Sequence, residues 1–447
     1  MKKIILLCCI VFSSLLLFST GKIIQTKIDN TDPNSFVEKN IFTLKSISSE
    51  NIDFEKYVSD YTLIDVSKND LASIISEDNQ AIKIEIPYKG NLLHLKLIKS
   101  NFVNENTLFT TQNKKDEDKE KSNYKLGAYY MGVVENEPNS FVAISFFEND
   151  IIGTIAMQNG NIVIGKSILK HFDSNEYIIY DDKNLKIKNE TSCGADEANA
   201  RAPFSQYLQN KKTRTITTKC VKFYYEMDYY TYQSFGNNVT NATNYATGLF
   251  NMVATLYLSD SMSIGLNQVN VWTSVDPYAA ETNTYDALVA FGNNLTGGFN
   301  GDLAHLLSTR GLGGGIAWIN VLCQTAYYRT GVSASLTTNL TPLPTYSWNT
   351  MVVSHECGHN VTSPHTHACS WNGNNTRIDD CGGNAGYTEG NCVSSPPNPV
   401  GGGTIMSYCH LIGGIGRNLS VGVGPQPGTI MRAAITNAAC LPESEGC

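Results

Sequence analysis

Residues 354–367, SHECGHNVTSPHTH, contain three histidines and a glutamate at a spacing suited to metal chemistry. His355 and His359 are four residues apart, so both rings project from one face of a helix and can share a zinc ion. Glu356 lies about a hundred degrees further round, where a carboxylate can take a proton from zinc-activated water. The proline that follows favours a helix end, and the returning chain would bring His365 as a third ligand. Three protein ligands leave one position for water, which is typical of catalytic zinc.

The helix that carries the first two histidines is predicted to begin at residues 347–349, where polar capping residues follow TPLPTY, and to run to Asn360. Apolar spacing upstream predicts a strand over residues 221–225 and a long amphipathic helix over residues 237–260. SIGLNQVNVWTS predicts a second strand, TYDALVAFGNNL a helix, GDLAHLLST the start of a helix, and GGGIAWINVLC a glycine-rich turn that enters a third strand. This order predicts an α/β (α+β) fold, with a twisted mixed sheet backed by helices.

The N-terminal part of the chain has a β-rich pattern. AIKIEIPY and LLHLKLIK alternate apolar and polar residues and flank Lys89 and Gly90, which predicts a hairpin. Short apolar runs between residues 129 and 166, separated by ENEPNS, END and QNGN, predict a meander of hairpins.

Targeting and redox signals indicate an exported protein. Two lysines and an apolar run to Phe18 precede small residues at positions 19–21, which predicts a secretory signal peptide over residues 1–21; a signal anchor is the alternative. No later stretch is long and apolar enough to span a membrane. Twelve cysteines minus two in the signal leave ten, all from Cys193 onward, which predicts disulfides in the C-terminal part. A net charge of -8 and a pI near 5.5 argue against nucleic acid as a partner.

Several of these segments resemble the reprolysin (adamalysin) family of metzincin zinc peptidases. YYMGVVENEPNSFVAISFFENDIIGTIAMQNGNIVI is similar to the family's propeptide, and VNVWTS, GDLAHLLST and GIAWINVLC are similar to its catalytic domain in the same order. The resemblance implies a signal peptide over residues 1–21, a β-rich prodomain over residues 22–200 and a metzincin-type catalytic domain over residues 201–447. It also implies that the strand at residues 316–322 edges the cleft, where a peptide substrate could add as a strand. A permanent accessory domain is the alternative for residues 22–200.

The zinc segment resembles the metzincin signature HExxHxxGxxH, with one departure. Thr362 stands where the family has glycine, and a β-branched residue tolerates positive φ poorly, so we expect a different turn or a moved ligand. His367 is the alternative third ligand. GGGTIMSYC resembles the family's Met-turn, which implies that Met406 lies beneath the metal. Tyr408 matches a position where related peptidases place a tyrosine that assists the oxyanion, with simple packing as the alternative.

The resemblance also assigns roles to the cysteines. Cys193, in TSCGADE, resembles the cysteine-glycine switch of related zymogens, although a disulfide is an open alternative. Cys323 is expected to pair with Cys440, and Cys357 to be buried or in a disulfide. Four further cysteines would brace the loops around the Met-turn: Cys369, Cys381, Cys392 and Cys409.

Two further predictions concern processing and calcium. Candidate processing sites are Arg201, Lys211, Lys212 and Arg214. Asp302 matches a calcium position of the family, but Lys222 stands where its glutamate partner is expected, so calcium is doubtful.

These features predict a secreted zinc endopeptidase made as a proenzyme, with protein or peptide substrates and its own prodomain as inhibitor. A pappalysin-like peptidase is the alternative within the same chemistry. A catalytically silent adhesion or binding protein and a zinc amidase are alternatives from other classes. The presence of Glu356 argues against the silent protein, because an inactive scaffold has no need of a base.

Overall fold

The computed structural model describes residues 22–45, 53–113, 119–137, 139–166, 175–186, 191–195, 217–338, 343–392, 396–443 and 447. The predicted signal peptide and the candidate processing sites between residues 201 and 214 lie outside these ranges. No helix in the described ranges has the length and apolar character needed to cross a membrane.

The N-terminal part forms a ten-stranded sheet with the order β1-β4-β5-β8-β9-β10-β11-β12-β3-β2. Only β1 and β4 pair in parallel; the other neighbours are antiparallel. The predicted hairpin is confirmed, and Lys89 and Gly90 both have positive φ, at 50° and 75°. The strands are β1 Val37–Lys39, β2 Phe42–Leu44, β3 Thr62–Val66, β4 Ala81–Tyr88, β5 Asn91–Lys99, β8 Ala128–Val134, β9 Phe141–Phe147, β10 Asp150–Met157, β11 Gly160–Lys166 and β12 Glu176–Asp181.

The second sheet has eight strands in the order β13-β17-β18-β16-β14-β15-β6-β7. Its pairs are parallel except β17 with β18 and β6 with β7, so the predicted mixed sheet is confirmed. The strands are β6 Leu108–Gln112, β7 Glu120–Lys121, β13 Ser192–Cys193, β14 Val221–Met227, β15 Ile264–Trp272, β16 Leu303–Leu307, β17 Gly314–Ala317 and β18 Thr330–Ser333. Strands β6, β7 and β13 come from the part of the chain that precedes residue 200.

The described helices lie on and between the two sheets. They are α1 Lys22–Asp29, α2 Lys68–Glu77, α3 Tyr229–Ser234, α4 Val239–Ser259, α5 Thr284–Asn294, α6 Tyr346–Asn360, α7 Cys381–Asn384 and α8 Pro425–Asn437. Asn238 caps α4 and Asn283 caps α5, each accepting a backbone N–H three residues later. The predicted start of α6 is confirmed to within three residues.

One sequence prediction about an element was wrong, and a second was wrong in part. GDLAHLLST is the central strand β16 and not a helix start, because its short apolar run is buried on both faces of a sheet. Helix α4 exists as predicted but is not amphipathic: all of its residues from 245 to 259 are buried. Its second face is covered by β9 and β10 of the N-terminal sheet, while the first packs on β15 and α6.

The faces of the ten-stranded sheet belong to two different cores. Along β8, Tyr129 and Met131 face a large core shared with α4 and the second sheet, whereas Ala128 and Tyr130 face a smaller core closed by α2. This alternation is the period of two that a strand imposes on its side chains. Because the large core is continuous between the two sheets, they are packed as one body around α4.

Candidate metal centre and cleft

Helix α6 and the turn after it bring three histidines together. His355 and His359 lie one turn apart on α6, which is buried along its whole length. Thr362 then adopts a φ of 115° and donates its N–H to the carbonyl of His359 at 2.8 Å. This reversal places His365 against the other two rings. The threonine thus adopts the backbone conformation expected of glycine, and neither a different turn nor a moved ligand is needed.

We call His355, His359 and His365 the histidine cluster. Their three Nε2 atoms lie 3.0–3.1 Å from one another. Ligands of a tetrahedral zinc, with bonds of about 2.1 Å, lie roughly 3.4 Å apart, so the observed spacing is close to that of one shared ion.

Each Nδ1 of the cluster has an acceptor. The first two members donate Nδ1–H to backbone carbonyls, of Ile405 at 2.7 Å and of Ser363 at 2.6 Å, and the third donates to the carboxylate of Glu389. Carbonyl and carboxylate oxygens only accept, so the proton lies on Nδ1 and the Nε2 lone pairs are free. Three converging lone pairs cannot satisfy one another. The donor set therefore fits a cation, and neutral imidazoles are the form that binds zinc.

Burial sets the protonation of this region. Burial is the main cause that lowers the pKa values of His355 and His359 well below the usual value for histidine, so both rings are neutral at pH 7. Burial also raises the pKa of Glu356 to about 8, against the opposing effects of a hydrogen bond from Cys193 and the charges of His365 and Arg417. Glu356 is 1% exposed and lies beside the first histidine on the helix, outside the cluster of nitrogens.

Residues 191–195, which we call the covering segment, lie in the cleft above the cluster. Ser192 and Cys193 pair in parallel with Gly314 and Gly315 of β17, and Gly194 donates its N–H to the carbonyl of Gly315 at 2.9 Å. The edge of β17 is therefore occupied by the chain itself. The predicted cleft strand is confirmed only in part, because β17 ends at residue 317.

The thiol of Cys193 reaches the candidate metal position. Its Sγ and the three Nε2 atoms of the histidine cluster all lie within 4.8 Å of one another. The same Sγ donates to Oε2 of Glu356 at 3.3 Å. Cys193 is not in a disulfide in the structure, so the sulfur is available as a ligand.

Tyr408 and Met406 both make contacts around the site. The hydroxyl of Tyr408 donates to the carbonyl of Cys193 at 2.7 Å and accepts its N–H at 3.1 Å. Met406 is fully buried with its sulfur against Gly358, where a side chain would come within 2.5 Å of it. This contact lies on the helix between the two ligand positions.

His367, the alternative third ligand, does not join the cluster. Its ring stacks on His365, with centroids 5.0 Å apart and planes at 10°, and its Nε2 lies 3.1 Å from Glu389. The contacts place it beside the ligand ring and not at the point where the nitrogens converge.

Glu389 contacts the site but was not predicted from the sequence. Its carboxylate accepts the Nδ1–H of His365, which fixes the tautomer and direction of that ring. Glu389 is 24 residues away in sequence and belongs to no motif. A carboxylate within a cysteine-braced loop near the zinc segment was the available signal.

Disulfides brace the loops around the site. The expected Cys323–Cys440 pair is confirmed, and the four cysteines near the Met-turn pair as Cys369–Cys392 and Cys381–Cys409. A fourth disulfide, Cys220–Cys447, ties the start of β14 to the C-terminus. Cys357 is free and buried, which confirms one of its two predicted states.

At the position considered for calcium, the Asp302 carboxylate accepts the N–H of Lys222 at 2.8 Å. The guanidinium of Arg329 donates to the backbone carbonyl of Asp302 at 2.7 Å. Two basic residues therefore stand around this carboxylate.

Comparison with known proteins gives a match to a family of metallopeptidases over part of the chain. Residues 217–415 match a profile of reprolysin type that is described as metallo-peptidase family M12. This match supports the resemblance to the reprolysin family that was inferred from the sequence. This family supports a zinc-dependent peptidase.

Solved structures show weaker similarity. Metalloproteinase-II from Bacteroides fragilis is 12% identical, with a TM-score of 0.38 over 68% of this chain and 87% of that chain. A chaperone-substrate complex matches 49% of this chain and 29% of that chain, at 12% identity and a TM-score of 0.26.

Proposed function

We propose that this protein is a secreted zinc endopeptidase made as a proenzyme, with residues 22–200 as prodomain and residues 201–447 as catalytic domain. The observation that carries the proposal is the convergence of three Nε2 lone pairs within 3.1 Å, with every Nδ1 already bonded. The Glu356 carboxyl stands beside them, buried and covered by a segment from the N-terminal half.

In the proposed reaction the histidine cluster holds the zinc, which when bound polarises the scissile carbonyl and lowers the pKa of water. Glu356 takes the proton of the attacking water as general base and passes it to the leaving amine. Tyr408, whose hydroxyl now bonds the backbone of Cys193, would be released with the covering segment and could donate to the developing oxyanion.

Latency is proposed to reside in the covering segment. Its parallel pairing with β17 occupies the edge where an extended substrate would add, and Cys193 Sγ lies within reach of the zinc position. A thiolate there would take the coordination site that catalysis needs for water. Export with removal of residues 1–21, and cleavage at one of the basic residues between 201 and 214, complete this proposal.

Hydrolysis of a denatured protein by the processed chain tests the enzyme assignment. We expect activity that a zinc chelator abolishes and that Glu356→Gln reduces by several orders of magnitude with one zinc per chain retained. Glu443→Gln, at a carboxylate that is 76% exposed, is the matched control and should leave activity unchanged. A processed wild type that holds zinc and cuts nothing would refute the enzyme assignment in favour of a binding protein.

Latency needs a separate assay on the uncut chain. Cys193→Ala removes the sulfur and retains the backbone pairing of the covering segment with β17. We expect this variant to cleave short peptides faster than the uncut wild type, and the gain should vanish in Cys193→Ala combined with Glu356→Gln. Equal rates in the uncut wild type and Cys193→Ala would argue against the thiol as the switch.

A further inference from the structure

A small cavity opens beside Glu356, beneath the covering segment. Trp348 and Val352 of α6 form an apolar wall of the cavity. His410 and Arg417, from the loop after the Met-turn, form a polar wall. Because the cavity adjoins both the candidate base and the first ligand, it lies where a side chain next to the scissile bond would enter.

Arg417 is a buried cation that lies near enough to Glu356 and Asp379 for their charges to raise its pKa. Its side chain is 7% exposed, and Nε donates to the carbonyl of Ser407 at 2.7 Å. It forms no ion pair with a carboxylate in the described part of the chain. Burial lowers its pKa to about 10, so the guanidinium is still charged at neutral pH. A buried charge that no carboxylate contacts directly is costly.

His410 adds a hydrogen-bond donor to the same wall. Burial and the charge of Arg417 lower its pKa, so the ring is neutral. Its Nε2–H donates to the carbonyl of Thr191 in the covering segment at 2.9 Å. When that segment leaves, this buried N–H loses its acceptor and faces the cavity, which then contains a cation and a donor beside the Glu356 carboxyl.

We propose that this cavity receives the side-chain carboxylate of an aspartate or glutamate adjacent to the scissile bond, so that acidic sequences are the preferred substrates. The inference rests on the proposed function and names its substrate class. The carboxylate pairs with the Arg417 guanidinium and accepts from His410 Nε2, while Trp348 and Val352 pack against the methylene groups. A charge-assisted hydrogen bond inside a buried pocket discriminates strongly against a neutral analogue.

Paired peptides that differ only by glutamate and glutamine next to the cleaved bond test the proposal. We expect the processed wild type to cleave the glutamate peptide at least tenfold better in kcat/KM. Arg417→Gln should bring the ratio close to one while cleavage of the glutamine peptide persists, and Arg417→Lys should restore part of the preference. Arg432→Gln, a half-buried arginine on α8, is the control and should leave the ratio unchanged. A wild-type ratio near one, or a ratio that survives Arg417→Gln, would refute the acidic pocket.

A binding measurement separates this inference from the proposed function and from folding defects. Calorimetric titration of the same two peptides into zinc-loaded, processed Glu356→Gln protein reports recognition without hydrolysis. Preferential binding of the glutamate peptide supports the pocket even if the wild type cleaves nothing, whereas cleavage with equal binding refutes the pocket and retains the peptidase. His410→Phe keeps the ring volume and the Arg417 contacts, so it should lower the binding ratio even if Arg417 variants misfold.

Discussion

Thr362 shows how a single residue departs from a family pattern without moving the site. Its φ of 115° lies in a region that β-branched residues avoid, and its Oγ1 is buried without a hydrogen-bond partner. The turn nevertheless delivers His365 to the histidine cluster. We infer that the surrounding packing imposes this conformation on the threonine and that the strain is stored in the folded state.

Thr362→Gly should therefore stabilise the protein. Relief of backbone strain is worth about 1–3 kcal/mol, against roughly 0.5–1 kcal/mol for the greater chain entropy of glycine when unfolded. We expect a net gain of about 1 kcal/mol in the free energy of unfolding, measured as a rise in Tm with zinc saturated. Thr362→Ala distinguishes the backbone strain from the cost of the unsatisfied hydroxyl, because it removes the hydroxyl but keeps the Cβ and its strain. A Tm for Thr362→Gly below that of the wild type would show that the turn is not strained.

At the residue scale, the sequence predicted the contacts that depend on local geometry and missed those that depend on the fold. The spacing of His355, His359 and Glu356 is fixed by one helix, so periodicity alone places them. Glu389 and Arg417 reach the site from loops whose course depends on disulfides and turns. No period in the sequence relates such residues to the histidines, so neither was predicted.

Among the elements, strands of the second sheet were harder to predict than helices. LAHLL in β16 and GGIA in β17 are short, and a short apolar run fits a buried strand as well as part of a helix. Strand β13 has only two residues and exists because β17 offers it a free edge. Pairing of this kind depends on the partner strand, so residues 192–193 alone do not predict that they form a strand.

The carboxyl of Asp260, at the C-terminal end of helix α4, should make the stability of the protein depend on pH. Asp260 follows the last turn, where the helix dipole is negative, and its Oδ2 accepts the N–H of Val423 at 2.7 Å. Burial raises its pKa to about 7, although the Val423 bond and Arg432 act in the opposite direction. The folded protein therefore keeps a proton on Asp260 over a range in which the unfolded chain has lost it.

The sign of the effect follows from linkage. An unfolded aspartate titrates near pH 4, so this group makes the free energy of unfolding fall by about 1.4 kcal/mol per unit as pH rises from roughly 4 to 7. Asp260→Asn keeps an oxygen for the Val423 N–H and removes the titration. We expect its Tm relative to wild type to rise steadily between pH 4 and 7 and to level off above that. A difference in Tm that does not change with pH would mean that Asp260 is ionised in the fold.

At the scale of the whole molecule, the two parts of the chain are joined by a shared sheet. The sequence predicted a β-rich N-terminal part and an α/β C-terminal part. Strand β6 of the first part, however, extends the second sheet by parallel pairing of residues 108–112 with residues 268–272. Alternating apolar residues identify a strand but not its partner, because only tertiary structure decides which edge it joins.

Buried polar contacts make this junction specific. Asn251 of α4 is fully buried, accepts from Ser100 at 2.8 Å, and donates to the carbonyls of Tyr130 and Ile144 at 3.2 and 3.3 Å. Thr107 donates to the carbonyl of Leu266 at 2.9 Å. Separation of the two parts would leave these groups without partners and would expose the apolar face of α4 to water.

We therefore predict that cleavage between residues 201 and 214 does not separate the two parts of the chain. The fragments should co-elute on native size-exclusion chromatography and separate only in denaturant. All four described disulfides join residues from 220 onward, so reducing agent is not needed to release the N-terminal fragment.

Asn251→Leu should weaken the association of the two fragments, since each polar group left unpaired costs about 1–3 kcal/mol. Asn267→Leu, at a half-buried position of β15 where the side chain bonds Asn300, is the control and should leave the fragments together. Separate elution of the wild-type fragments under native conditions would show that the shared core forms only in the intact chain. Activation would then proceed by loss of the whole N-terminal part, whereas co-elution with activity would mean that withdrawal of the covering segment alone opens the cleft.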